Sequence, residues 1–126
     1  MKLISWLLQL AFFTLLTLSQ AFATSAREEE LLRSASAMDS SIGIKTRSID
    51  GLTQSKDPKV IEFLKTKAQD RFVDSKIRMA AIRALRSSTD ESVIRVLKGI
   101  ISGFASEDEK EAAFSSLHGI EEFRRN

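Results

Sequence analysis

Apolar residues recur along this chain at helical spacing, in blocks separated by polar turns. Val60, Ile61, Leu64 and Ala68 fall at positions i, i+1, i+4 and i+8, the stripe that a half-buried helix requires. Ile77, Ala80, Ala81, Ala84 and Leu85 form a second stripe, and Val93, Ile94, Leu97, Ile100 and Ile101 a third. Ala112, Ala113, Phe114 and Leu117 carry a fourth. Upstream, Glu28, Glu29 and Glu30 precede Leu31, Leu32, Ala35 and Met38. Acidic residues suit the positive end of a helix dipole, so a helix is expected over about 26–38. Ile42, Ile44, Ile49 and Leu52 predict a short helix, weakened by Gly43 and Gly51. No segment alternates with period two, which predicts an all-α fold.

The residues between the blocks agree with these boundaries. Asp57 can cap free N–H groups, and Pro58 at the first helical position loses no hydrogen bond. Asp74 and Asp90 stand at the same point before their own stripes, and Asp39-Ser40-Ser41 forms a turn and cap. Ser106 followed by Glu109 has the form of a capping box. Phe72 is expected to pack inward from the turn at 70–73, and Gly119 to end the last helix.

The blocks repeat. Asp57, Val60, Ile61 and Leu64 match Asp90, Val93, Ile94 and Leu97, each 33 residues later. Ala81 and Leu85 match Ala113 and Leu117, each 32 later, while Ile77, Ile82 and Leu85 fall 33 after Ile44, Ile49 and Leu52. A fixed period of this size marks stacked helical hairpins. The arrangement of Asp74, Ile77, Arg78, Ala81, Ala84 and Leu85 resembles the second helix of a HEAT-like repeat, in the short form named after phycobilisome lyases. In the third repeat Ser106, Glu109 and Lys110 replace the Asp, Ile and Arg; in the first, Ser41 and Lys45 stand for the Asp and the Arg. The resemblance covers roughly 41–120. It implies a short right-handed α-solenoid of about three helical hairpins, with second helices on the concave side. It also implies that Asp74 and Arg78 tie adjacent repeats, and that the protein binds other proteins; some members assist chromophore attachment.

The first residues have a different pattern. Lys2 precedes a strongly apolar run from Leu3 to Leu18, and Ala21-Phe22-Ala23 offers small residues at the −3 and −1 positions of a cleavage site. This is the three-part form of a secretory signal peptide. The expected organisation is a signal peptide at 1–23 and a HEAT-like domain at 24–126, exported to the periplasm or secreted. The competing reading is a membrane-tethered adaptor, but the run from 3 to 18 falls short of the roughly 20 residues that span a bilayer. On the first reading the chain meets the membrane only transiently.

Composition narrows the chemistry. Lys+Arg is 19 against Asp+Glu 17, so no concentrated basic surface for nucleic acid is expected. There is no Cys and one His, which removes disulfides and most metal-site chemistry and leaves packing alone to hold the domain. No cofactor is implied. Glu111, Ser115 and His118 lie on one helix face, but a triad needs its base oriented from a second direction, and no nucleophile elbow accompanies them. The outward side of the second helices is more informative. It offers Lys76, Met79, Arg83 and Arg86 in the central repeat, and Asp108, Glu111, Ser115 and His118 in the third. Met79, Arg83, Arg86, Glu111, Ser115 and His118 are therefore the candidate contacts for a protein or peptide. The expected role is a non-enzymatic, exported scaffold; a lyase-like or enzyme-assisting factor is the alternative. The C-terminal end, with Phe114, Ile120 and Phe123, offers a route to self-association.

Overall fold

A computed structural model describes residues 2–126, with side chains described at 4–10 and 26–126. The helices are α1 (Lys2–Ser36), α2 (Ile42–Asp50), α3 (Pro58–Gln69), α4 (Ser75–Ala84), α5 (Glu91–Ser102) and α6 (Glu107–Arg125), with one 3-10 turn at Leu85–Ser87. Among the described residues there is no strand, as the missing period-two pattern predicts. The chain divides into two compact units, residues 1–30 and Leu31–Asn126. In the first, the described Ile4, Trp6, Leu7 and Leu8 are exposed. The expected cleavage point after Ala23 lies outside the described side chains. No helix among the described residues is long and apolar enough to cross a membrane.

Every helix of the second unit starts where its cap residue places it. The Asp57, Asp74 and Asp90 carboxylates accept from the backbone N–H two residues on, at 2.9, 2.8 and 2.8 Å. Ser41 Oγ accepts from Ile44 N at 3.2 Å. Ser106 and Glu109 close the full capping box: Ser106 Oγ accepts from Glu109 N at 3.2 Å, and Ser106 N donates to Glu109 Oε2 at 2.9 Å. Each bond satisfies a donor that the helix cannot satisfy itself.

The hairpins pack as two layers. α3 and α4 pair, as do α5 and α6, and the second helices α2, α4 and α6 lie side by side while α3 neighbours α5. The bonds fix the sense of the stack. Arg78 in the first turn of α4 meets Glu109 in the first turn of α6. Farther along, Ser116 Oγ donates to Ile82 O at 2.9 Å. A Cβ on Gly119 would stand 4.0 Å from Arg86 O. Both helices thus advance together, so α4 and α6 are parallel. Between the layers lies the core, with Ile49, Leu52, Val60, Leu64, Ile82, Leu85, Val93, Leu97 and Ile120 its largest buried members. Ile77, Ala80, Ala81, Ala84 and Leu85 of the central stripe are all buried. Small side chains there let neighbouring helices approach, as does Gly51, where an added Cβ would crowd Leu31 Cδ1 at 3.2 Å.

Three expectations fail at the ends and turns. The helix expected over 26–38 stops at Ser36, and Met38 is fully exposed in the turn that follows. Phe72 does not pack inward; it is 99% exposed, because the backbone of its turn is held by Asp70 Oδ1, which accepts from Phe72 N at 2.9 Å. Gly119 does not end α6, since it never enters the left-handed region that such a termination uses. The helix continues because Ile120 is drawn into the core and Arg124 reaches back to Thr89 O and Glu91 at 3.2 and 2.7 Å.

Leu85 and Phe72 make opposite predictions. Leu85→Ala should cost about 2–5 kcal/mol in urea unfolding, whereas Phe72→Ala should change stability by no more than roughly 0.5 kcal/mol.

Candidate interaction site

The outward side of the second helices holds a hollow of about 460 Å³, lined by Met79, Arg83, Arg86, Asp108, Glu111, Ala112, Ser115 and Ser116. Five of the six candidate residues therefore converge: Met79, Arg83, Arg86, Glu111 and Ser115. His118 does not line it. One turn beyond Ser115, its Nε2 lies 3.4 Å from Glu122 Oε1 on the same helix.

The hollow's charge is set by the parallel packing of α4 and α6. Arg83 and Arg86 come from the α4 side, Asp108 and Glu111 from α6. None of these four is in an ion pair within 4.0 Å among the described residues. A basic wall and an acidic wall thus face the same space, with their charges unspent on one another. Met79 is half-buried at the basic side. Such an arrangement can receive an extended or helical segment that carries both signs of charge, through contacts whose strength grows as water is displaced.

The junction between α4 and α6 is held by buried polar groups. Glu109 is buried, yet it stands 32 residues after Ile77, a core position. Burial raises its pKa, but hydrogen bonds from Arg78 and from Ser106 N and Oγ outweigh that, so the carboxyl is held below its usual range. Arg71 adds a second cation at 3.5 Å. Arg78 Nη1 also donates to Val73 O at 2.5 Å and, more weakly, to Asp70 O at 3.4 Å. Arg78 therefore ties the second repeat to the third. Asp74 acts within its own repeat instead, capping α4. Ser116, 32 residues after the core position Ala84, is buried and bonded to Ile82 O. The repeat register was the signal for both: each polar residue occupies a position that is apolar one repeat earlier. Asp90 also has its pKa lowered, by hydrogen bonds from the Ser92 side chain and backbone.

The parallel second helices, the hairpin period and the buried junction together define the architecture, and a family model for HEAT repeats matches residues 28–118. The chain belongs to the HEAT repeat family. No curated protein and no solved structure matches it significantly. HEAT repeats form helical scaffolds that commonly mediate protein–protein interaction, and the second unit of this chain is such an α-solenoid. A HEAT stack gains its cohesion from contacts between neighbouring repeats, and Arg78–Glu109 and Ser116–Ile82 are two such contacts here.

Removing one member of a buried ion pair leaves the other uncompensated, so Arg78→Ala should cost about 3–5 kcal/mol in chemical denaturation. Replacing both, as in R78M/E109L, should cost much less, because no buried charge remains. Folding lowers the Glu109 pKa, so its carboxylate form stabilises the fold at every pH above its unfolded value of about 4.5. That contribution is lost as pH falls through the lowered folded value. The stability gap between wild type and Glu109→Gln should stay constant from neutral pH to about 5 and narrow below about 4.

Proposed function

We propose that this protein is an exported, non-enzymatic HEAT-repeat scaffold that binds a protein segment along its second helices. The observation that carries this reading is the hollow between α4 and α6, with Arg83 and Arg86 facing Asp108 and Glu111. Arginine stays charged at all working pH values and cannot serve as a general base. The lining suits salt bridges and hydrogen bonds to a partner chain better than proton transfer. Met79 supplies a flexible apolar contact, of the kind adaptable interfaces use.

Export is supported by the first 23 residues: Lys2, the apolar run from Leu3 to Leu18, and the Ala21-Phe22-Ala23 site. These residues lie wholly within the first unit. The absence of Cys fits a domain that relies on packing in an oxidising compartment. The mature protein is then periplasmic or secreted. Self-association through the C-terminal end has less support. Phe114 and Phe123 are both exposed, but nine residues apart on α6 they point to opposite sides of the helix.

Mass spectrometry of protein recovered from its native envelope should find the N-terminus at Thr24; an intact Met1 start would establish the tethered form instead. With the mature protein as bait, affinity capture should retain a specific partner, and R83E/R86E should weaken that partner's binding by roughly tenfold or more. Unchanged binding to the double variant would remove the second-helix surface from the account.

A further inference from the structure

A second surface lies at the hairpin turns. Met38, Phe72 and Phe104 are 100%, 99% and 103% exposed. Each sits in the turn that leads into a second helix, three residues before the cap Ser41 for Met38 and two before Asp74 and Ser106 for the rings. Phe72 and Phe104 thus hold the same place in two neighbouring repeats, and Met38 lies one residue earlier in the first. Scattered single apolar residues on a surface need no explanation, but an exposed Phe at the same register in two neighbouring repeats does.

The turns at Phe72 and Phe104 are also fixed to each other. Arg78 donates to the carbonyls of Asp70 and Val73 in one turn and to Glu109, which accepts from Ser106 N and Oγ in the next. A single buried ion pair therefore clamps both turns. Neighbouring packed helices lie about 8–10 Å apart, so the turns that lead into α4 and α6 stand side by side on one edge. Anchors held in place before binding lose little freedom on docking.

Charge on this edge identifies what fits it. Asp39, Asp70 and Asp74 flank the first two anchors, and Glu107, 3.6 Å from Lys110, follows the third. The basic residue within the same turns is Arg71, and it is committed to Glu109. The edge is apolar at its anchors and acidic around them, which disfavours an anionic lipid surface.

We infer that the row formed by Met38, Phe72 and Phe104 is a docking edge for a protein segment whose apolar side chains are bracketed by Lys or Arg. This edge is independent of the hollow on the second helices.

The test uses full-length protein labelled with fluorophenylalanine, with the resonances of Phe72 and Phe104 assigned by F72S and F104S. The probes are a short synthetic peptide alternating Lys with Leu and Phe, its counterpart with Glu for Lys, and phosphatidylcholine vesicles. The basic peptide should shift both resonances saturably, and the acidic one should not. The double variant F72S/F104S should keep the wild-type circular dichroism and bind the basic peptide roughly tenfold or more weakly, while R83E/R86E binds it as wild type does. If F72S/F104S misfolds, the two wild-type resonances still decide the matter. The inference is overturned if the basic peptide leaves them unmoved, if the acidic peptide moves them equally, or if only the vesicles do.

Discussion

The ion pair between Arg78 and Glu109 is the constraint on which the rest of the second unit depends. A carboxylate buried in a core position is costly unless paired and hydrogen-bonded. Here it receives Arg78, Arg71 and both donors of Ser106. Glu109 therefore closes the capping box of α6 through Oε2 and joins α6 to α4 through Oε1. Arg78 in turn holds the carbonyls of the preceding turn. Helix start, turn conformation and repeat spacing are set by one cluster, so none can shift without the others.

Two surfaces follow from that rigidity. The parallel arrangement of α4 and α6 brings Arg83 and Arg86 opposite Asp108 and Glu111. The same arrangement sets the turns bearing Phe72 and Phe104 side by side. A stack that slipped by one helical turn would carry the Arg-bearing wall past the acidic one and separate the rings. The specificity proposed for this scaffold thus rests on a buried polar contact that adds little net stability of its own and much to register.

Much of this was legible in the chain. The cap residues marked the helix starts, and the stripe from Ile77 to Leu85 named the central core. Met79, Arg83, Arg86, Glu111 and Ser115 were brought together by mapping the repeat, and they line one hollow. What was not legible has physical causes. Phe72 reads as core by hydrophobicity alone, but its turn is fixed by backbone and Arg78 contacts that take no account of its ring. Phe114 occupies the position 32 residues after buried Ile82 and is exposed, because among the described residues no helix lies beyond α6. Gly119 and Ile120 resemble a helix ending, yet burial of Ile120 and the reach of Arg124 to Glu91 carry α6 six residues past Gly119. In each case tertiary contact decided what local pattern left open.

The central claim is that the second and third repeats form one cooperative body through the Arg78–Glu109 junction. Native-state hydrogen exchange at rising denaturant tests it most directly, because it reports the free energy at which each helix opens. The account predicts that the buried amides of α4 and α6 merge into a single opening with the same free energy and denaturant dependence. Opening of the α5–α6 hairpin at distinctly lower free energy, with α3 and α4 still protected, would contradict it.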